Sequence, residues 1–344
     1  MKEQQANACE MIPVIGLISI IAVSSLITYL FLSWWIKTAP KIGLVGKDLN
    51  KNEDRKLPEA GGLSVIMGAS FGIMLNIAYN VYLSNSFSDI TLLAIVSLLL
   101  LSGFLGFIDD VTGWKKGLSP VKRILLTMPI ALPLVIIKSG YSVIELPLVG
   151  PVDLGVLYPL VVVPIGVMGA SNAFNMIAGY NGLEAGQALI ISLFTLAFCY
   201  IKGLFFLTPL LLSMISATLI LLLYNKYPAK VFPGNTFTYS FGAFYAAIVI
   251  TGNFEKFGIT MFSLYFLELA LFLRGLLNGV YKENFGIPQA DGSLSPPYEK
   301  AYSVTHLAII TLRRLFGKAY EKQVTLLIIT WQAVIGTICL LLYT

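Results

Sequence analysis

Two adjacent carboxylates, Asp109 and Asp110, end an apolar run in the stretch LSGFLGFIDDVTGW, residues 101–114. The preceding residues 90–108 contain no charged side chain, and as a helix they would nearly cross the roughly 30 Å of hydrocarbon in a bilayer. Neighbouring anions repel each other, so their position predicts a bound Mg²⁺ ion or a reaction at a phosphate group. Four cations follow, up to Arg123, and could neutralise phosphates. The alternative is a solvated loop whose charges pair with one another.

A second polar segment, SNAFNMIAGYNGLEAGQ at 171–187, is rich in amides. Asn172 and Asn175 are three residues apart, so on a helix they share one face. Asn181 and Gly182 then predict a turn into the next apolar segment, which begins near Glu184. Neutral amides at a membrane boundary can bind a nucleobase or complete a metal shell. They can equally cap the two helices that flank the turn.

Two more polar segments complete the set of candidates. KVFPGNTFTY, at 230–239, contains a Pro-Gly turn, the flat apolar side chain of Phe232, and Asn235 or Thr236 as a cap for the following helix. KIGLVGKDLNKNEDRKLPEAGG, at 41–62, is basic and contains glycine. It reads either as a clamp for an anionic substrate or as an ordinary positively charged loop.

The elements that position these residues are apolar helices. Hydrophobic residues make up 57% of the 344 residues and charged residues only 12%, too few charges to cover a water-soluble surface. We therefore predict an all-α polytopic membrane protein, with residues 1–344 as a single transmembrane catalytic domain. One histidine excludes a multi-histidine metal site, and the three cysteines share no metal-ligand spacing. Apolar windows predict about ten transmembrane helices, at 11–36, 61–83, 90–108, 121–138, 154–173, 183–201, 203–223, 237–253, 257–280 and 323–343.

The distribution of positive charge predicts the orientation. The odd-numbered loops 37–60, 109–123, 174–182, 224–236 and 281–322 contain 18 of the 23 Lys and Arg residues. The positive-inside rule places these loops in the cytoplasm and both termini outside the cell membrane. Since every candidate segment falls in these loops, the predicted active site also faces the cytoplasm.

Three further features lie outside the candidate segments. Alternation with Pro and Gly at 141–155 predicts a short extracellular β-hairpin. Residues 298–322 predict a cytoplasmic amphipathic helix with Ile309, Leu312, Phe316 and Tyr320 on one stripe, which would lie on an anionic leaflet. Glu268 and Arg274 interrupt the ninth span and, six residues apart, should not pair with each other.

The four polar segments resemble the polyprenyl-phosphate N-acetylhexosamine-1-phosphate transferase family. The similarity is closest to its archaeal and eukaryotic branch, the dolichyl-phosphate N-acetylglucosamine-phosphotransferases that tunicamycin targets. It runs through the chain in order: DLNK and LPEAGG, GFIDDV with a later lysine, NAFNMIAGYNGLEAGQ, and FPGNTF before the eighth span. NGLEAG is a specific signature, whereas a pair of aspartates by itself would not identify the family.

The resemblance implies that N-acetylglucosamine 1-phosphate passes from UDP-N-acetylglucosamine to a polyprenyl or dolichyl phosphate, with release of UMP. It implies Mg²⁺, with Mn²⁺ as a substitute, a homodimer in the lipid bilayer, and no nucleic acid partner. The implied roles are catalysis for Asp109, Asp110 and Lys122, metal ligation for Asn175 and Asn235, uracil binding for Asn181 and Phe232, and contact with acceptor and sugar for Glu59. The remaining substrate-binding candidates are Lys47, Asn172, Gly182, Leu183, Glu184 and Lys282.

The sequence departs from the family at two places. Where the family has an aspartate that ligates Mg²⁺, this chain has Asn235, which removes one formal charge and should weaken metal binding. The last odd loop keeps GIP but lacks the arginines expected before it, so Lys282 is the nearest cation. The bacterial muramoyl-pentapeptide branch has clustered histidines in this loop, and His306 stands alone.

Two alternative functions follow from the same residues. One is the same transfer with another UDP-N-acetylhexosamine, because none of the residues reads the sugar hydroxyls unambiguously. The other is a secondary transporter, which ten spans would suit. A transporter predicts charges near the membrane midplane and paired broken helices, whereas the polar segments here lie towards one side.

Overall fold

Long apolar segments form helices because lipid offers the backbone no hydrogen-bond partners. A computed structural model describes residues 14–83, 90–112, 120–146 and 150–344. Its helices are α1 (Val14–Thr38), α2 (Gly62–Leu83), α3 (Ile90–Thr112), α4 (Pro120–Thr127), α5 (Leu132–Ile136), α6 (Val163–Met176), α7 (Leu183–Ile201), α8 (Thr208–Asn225), α9 (Gly234–Gly252), α10 (Glu255–Met261), α11 (Ser263–Leu277), α12 (Val304–Phe316) and α13 (Glu321–Tyr343). The strands form three antiparallel pairs: β1 (Val45–Lys47) with β2 (Lys56–Pro58), β3 (Val143–Leu146) with β4 (Gly150–Asp153), and β5 (Ile287–Pro288) with β6 (Leu294–Ser295).

The predicted class of all-α polytopic membrane protein is confirmed, but the number of spans differs from ten. Within the described residues, seven helices are long and apolar enough to cross a membrane, or eight spans if α10 and α11 count as one span bent by 54°. The predicted span 121–138 is broken into α4, a 3₁₀ turn and α5. Pro129 and Pro133 lie in this stretch and remove the backbone donors that a continuous helix needs.

The predicted span 237–253 corresponds to α9, which is less apolar than the seven candidate spans. Its side chains contact other helices rather than lipid. Every residue from Thr236 to Ile250 is buried, since α9 packs against α3, α6 and α2 at the centre of the bundle. At Gly106 of α3, an added Cβ would lie 2.5 Å from the Asn235 carbonyl oxygen. This close approach brings the end of α3, which includes Asp109 and Asp110, to the beginning of α9.

The polar loops meet at one end of the bundle. The Phe232 amide donates to the Pro58 carbonyl over 2.8 Å, and the Asn50 side chain donates to the Gly179 carbonyl over 2.9 Å. At the other end of α9, the Asn253 side chain accepts a hydrogen bond from the Tyr141 amide over 2.6 Å, next to the β3–β4 hairpin. The predicted hairpin is therefore present, at the end opposite the polar loops. Its residues 147–149 lie outside the described residues, as do Lys115 and Lys116.

The predicted amphipathic stripe is only partly correct. α12 covers Val304–Phe316, but Ile309 and Leu312 are buried within the protein. Phe316, the last residue of α12, is 69% exposed, and Tyr320, beyond the helix, is 39% exposed. The first half of the stripe therefore packs into the core. Only the second half is exposed and able to contact a membrane surface.

His306 on α12 is a structural residue. Its Nδ1 accepts a hydrogen bond from the Tyr302 amide over 3.3 Å, and its Nε2 lies 2.8 Å from the Glu283 carbonyl oxygen. Burial lowers the pKa of the imidazole to about 4. The ring is therefore neutral at neutral pH and holds the last odd loop against α12.

Candidate active site

Asp110 joins the end of α3 to the beginning of α9. Its Oδ1 accepts a hydrogen bond from the Asn235 amide over 2.7 Å, and its Oδ2 accepts from the Thr236 amide over 3.0 Å and from Thr236 Oγ1 over 2.6 Å. These amides are free donors of the first turn of α9, where a negative charge is favourable. The sequence predicted a cap from Asn235 or Thr236, and this was wrong. The cap comes from Asp110, because the two helices cross there.

The next residues of α9 contact Asp109 and Asn175. Tyr239 donates its hydroxyl to Asp109 Oδ2 over 3.0 Å, and Thr238 donates to Asn175 Oδ1 over 2.8 Å. Arg123 Nε on α4 lies 3.1 Å from the same Asp109 Oδ2. Four residues of the first turns of α9, Asn235, Thr236, Thr238 and Tyr239, thus connect the adjacent pair Asp109 and Asp110 to Asn175, which is remote in the sequence.

These side chains border one cavity of about 1920 Å³. Its polar end is lined by residues from α3, α4, α6, α9 and the loops around them. The cavity continues between α9, α10 and α11, where the two short helices bend at Phe262. The apolar part is lined by Val249, Ile250, Ile259, Phe262, Phe266 and Leu269. A single space therefore offers a charged region and a hydrocarbon-like region.

Glu59 adds a third carboxyl group to the polar end. The Gly61 amide, two residues later, donates to the Phe232 carbonyl over 2.8 Å, which fixes this loop beside the start of α9. Burial, and to a smaller extent the charges of Asp110 and Glu184, raises the pKa of the Glu59 carboxyl to about 8. A cation bound beside this carboxyl group would favour its ionised form.

Ten of the predicted site residues line this cavity. Among the cations, Lys47 is at the exposed edge and pairs with Asp54 at 3.0 Å. Lys282 is buried, with its side chain 6% exposed, and is paired with Glu268. The ten are Lys47, Glu59, Asp109, Asp110, Asn172, Asn175, Glu184, Phe232, Asn235 and Lys282.

The other predicted residues have different positions. Asn181 is buried, and its side chain accepts from the Ala229 amide over 2.7 Å and donates to Asp48 and Glu321 over 3.2 and 2.6 Å. Gly182 donates its amide to the Asn225 side chain over 3.0 Å, and Leu183 is buried in the core. This part of the NGLEAG segment holds loops together, so the uracil contact implied for Asn181 stays a prediction.

The sequence did not single out Arg123, Thr238 or Tyr239. The side chain of Lys122 is exposed, whereas Arg123 lines the cavity and reaches Asp109. A helical projection could have shown that Lys122 and Arg123, as neighbours on one helix, point about 100° apart. It could not have shown which of them meets α3, because that depends on how α4 packs.

The oxygen ligands at the polar end fit Mg²⁺ held together with a phosphorylated substrate. Within the described residues, no group of three or more His, Cys, Asp or Glu side chains could hold a metal ion by itself. Two carboxylates and two amides, those of Asp109, Asp110, Asn175 and Asn235, nevertheless border one cavity. Mg²⁺ typically binds one or two carboxylates and completes its shell with waters and substrate phosphates. The same hard ligands also suit Mn²⁺.

Comparisons with known proteins find relatives of this chain. The model of glycosyl transferase family 4 matches residues 91–253. Over 332 residues the chain is 32% identical to a Saccharolobus solfataricus protein provisionally named UDP-N-acetylglucosamine–dolichyl-phosphate N-acetylglucosaminephosphotransferase, covering 94% of this chain and 96% of the relative. The Dictyostelium discoideum enzyme of the same name is 26% identical over 365 residues, 90% of this chain and 84% of the relative. A phospho-N-acetylmuramoyl-pentapeptide-transferase of Petrotoga mobilis is 30% identical over 253 residues, 68% of this chain and 76% of the relative.

Proposed function

Since this chain belongs to glycosyl transferase family 4, we propose that it transfers N-acetylglucosamine 1-phosphate from UDP-N-acetylglucosamine to a dolichyl-type polyprenyl phosphate and releases UMP. This is the first step of lipid-linked oligosaccharide assembly for N-glycosylation. The names of the relatives from Saccharolobus solfataricus and Dictyostelium discoideum support both substrates. The observation that supports the proposal best is the cavity that joins a cluster of acids and amides to an apolar region.

The reaction needs charge neutralisation more than a strong base. A phosphate monoester has a second pKa near 6, so the lipid phosphate is already an effective nucleophile at neutral pH. Its oxygen would form a bond to the phosphorus next to the sugar, and the bridging bond to the UMP phosphate would break. The difficulty is to bring these anions together beside the acidic side chains that line the cavity.

The structure suggests different roles for the two aspartates. Both oxygens of Asp110 accept hydrogen bonds from the start of α9, so we assign it to positioning that helix and its Asn235. Asp109 is held by Arg123 and Tyr239 and is assigned to orient the acceptor phosphate. The side chains of Asp109, Asp110, Asn175 and Asn235 would hold Mg²⁺. The bound ion would stabilise the negative charge that develops on the departing UMP.

The membrane setting follows from the same assignment. The protein is a multi-pass membrane protein with several apolar helices. We propose that the polar loops face the cytoplasm, where a nucleotide sugar is available, with both termini outside, and that the protein is a homodimer. Because the chain belongs to a family of transferases, we prefer the transfer reaction to the secondary transporter interpretation.

The direct test supplies the full chain in detergent with UDP-N-acetylglucosamine, polyprenyl phosphate and Mg²⁺ and measures released UMP. We expect UMP release that needs all three components. UDP-N-acetylgalactosamine, offered separately, tests the alternative donor. Absence of UMP release with every donor, in the natural chain and in the Asn235→Asp variant, would contradict the proposal.

The Asn235→Asp variant is expected to release UMP faster and to need less Mg²⁺. The side chain of Asn235 borders the cavity with Asp109 and Asn175, and a carboxylate adds one negative charge to the ligand set. The concentration of Mg²⁺ for half-maximal rate is the quantity to measure. The matched control is Asn278→Asp, the same change on an exposed residue. Equal rates and equal Mg²⁺ dependence in the Asn235→Asp variant and the natural chain would contradict the prediction.

Arg123 and Lys122 are expected to differ strongly when each is replaced by glutamine. Arg123 Nε lies 3.1 Å from Asp109 Oδ2, so its loss removes a positive charge from the polar end of the cavity. We expect UMP release to fall about tenfold to a hundredfold for Arg123→Gln, consistent with the loss of one charge-assisted contact. The exposed Lys122→Gln variant should stay near the rate of the natural chain. A larger loss in Lys122→Gln than in Arg123→Gln would reverse this assignment.

A further inference from the structure

Glu268 is a carboxylate in an unusual place. It lies on α11, in the second half of the bent pair of helices, and is 0% exposed. A buried charge is unfavourable unless its partners compensate fully for the lost hydration. Its Oε2 accepts from the Val304 amide over 2.7 Å and from Ser303 Oγ over 3.0 Å, and its Oε1 accepts from Lys282 Nζ. The carboxylate is thus fully satisfied, by the first residues of α12 and by one lysine.

Lys282 is the lysine that connects Glu268 to the cavity. Its side chain is only 6% exposed, and it lines the same cavity as Asp109 and Asn175. Its ammonium also donates to Asn284 Oδ1. The geometry therefore fixes one positive charge at the cavity wall.

Asn284 extends the connection to the amide segment. Its side-chain amide donates to the carbonyl oxygens of Met176 and Ala178 over 2.9 and 3.1 Å, directly after Asn175. The contacts run from Glu268 through Lys282 and Asn284 to the end of α6. A cation held in this way cannot swing freely, so its position relative to the amide segment is set before any substrate binds.

We propose that Glu268 is a positioning residue that holds Lys282 as a fixed cation for the diphosphate of the nucleotide-sugar donor. This inference rests on the proposed function for the identity of the donor. Its physical basis is preorganisation: a cation held in place by a buried partner loses little conformational entropy when it meets a phosphate. Without Glu268, the ammonium would lack its buried counter-ion and would turn away from this position.

If Glu268 served only as a cap of α12, its replacement would change the stability of the protein and leave donor affinity unchanged. Glu268→Gln keeps a side-chain oxygen that can accept from the Val304 amide but loses the ion pair with Lys282. Lys282→Met removes the cation and keeps the hydrocarbon stem. The double variant replaces the pair by neutral side chains of similar size, which should recover stability that Lys282→Met loses. Glu299→Gln, an exposed acid of the same loop, is the matched control.

The experiment measures UDP-N-acetylglucosamine affinity by calorimetry, the donor KM and kcat for UMP release, and the unfolding midpoint, all with the full chain in detergent. We expect Glu268→Gln and Lys282→Met each to weaken donor affinity about tenfold, the loss typical of one charge-assisted contact. The double variant should bind no more weakly than either single variant, because both remove the same fixed cation. The change should appear in KM more than in kcat, and Glu299→Gln should match the natural chain.

Unchanged donor affinity in Glu268→Gln would overturn the inference, whether or not the unfolding midpoint falls. Additive losses in the double variant would overturn it too, because the residues would then act separately. The binding measurement separates this inference from the proposed function. If the natural chain binds the donor and Glu268→Gln weakens binding while no UMP is released, the positioning role stands and the proposed reaction fails. If UMP is released and Glu268→Gln binds like the natural chain, only the positioning role fails.

Discussion

Replacement of Asp109 by asparagine is expected to lower the rate of UMP release by about 10²- to 10⁴-fold, the range typical of a positioned acid–base or charge-stabilising group. Asparagine has the same shape and can still accept the hydrogen bond from Tyr239, which is now 3.0 Å from Asp109 Oδ2. It lacks the charge that pairs with Arg123 at 3.1 Å. The protein should therefore fold while losing the group that orients the acceptor phosphate and helps to hold Mg²⁺.

The measurement is the initial rate of UMP release at saturating donor, acceptor and Mg²⁺, beside the unfolding midpoint in detergent. Asp153→Asn is a suitable control because Asp153 is exposed on the β3–β4 hairpin, at the end of the bundle opposite the polar loops. It should release UMP at the rate of the natural chain. A rate for Asp109→Asn within a few-fold of the natural chain would show that Asp109 is not part of the reaction.

Replacement of Gly234 by alanine is expected to lower the rate of UMP release about 100-fold, although no charged residue is substituted. Gly234 has φ +74°, and a Cβ there would lie 2.3 Å from Asp110 Oδ2 and 3.0 Å from Ala60 Cα. The Asp110 carboxylate would have to leave the first turn of α9, and Asn235 would move with it. A displacement of about 1 Å in a positioned group can reduce a rate by about 100-fold.

The control for this variant separates the contact from the backbone conformation. Gly317 has almost the same φ, +75°, but an added Cβ would have no atom within 4 Å. Gly317→Ala therefore has the same cost of left-handed backbone, roughly 1–2 kcal/mol, without displacing Asp110. We expect Gly317→Ala to release UMP at nearly the natural rate when it is folded. Equal losses in the two variants would show that backbone strain, rather than the position of Asp110, limits the rate.

The polar end of the cavity was largely predictable as a set of residues, but not as a geometry. Ten predicted residues line it, including Asp109, Asn175 and Asn235, because their types suit phosphates and Mg²⁺ wherever the helices bring them. Arg123 and Tyr239 were missed. Their importance depends on which neighbour faces Asp109, and that is decided by helix packing rather than by the spacing of residues in the chain.

The count of spans likewise separates what the sequence predicts from what helix packing decides. Continuous apolar segments such as 90–108 predicted helices correctly, because a backbone in lipid must satisfy its own hydrogen bonds. The less apolar α9 could not be distinguished from a lipid-facing span in the sequence. Its burial from Thr236 to Ile250 results from contacts with α2, α3 and α6, which are remote in the chain.

The amino-acid sequence by itself determined the class of the protein, the location of its polar segments between apolar helices and the chemistry those segments favour. The reason is that hydration, lipid solubility and ligand preference belong to residue types and their local spacing. The tertiary structure alone decided that Asp110 caps α9, that Asn181 is buried in a network of loops and that Glu268 holds Lys282. Each of these depends on how helices and loops meet in space, and such contacts are set by the packing of the whole bundle.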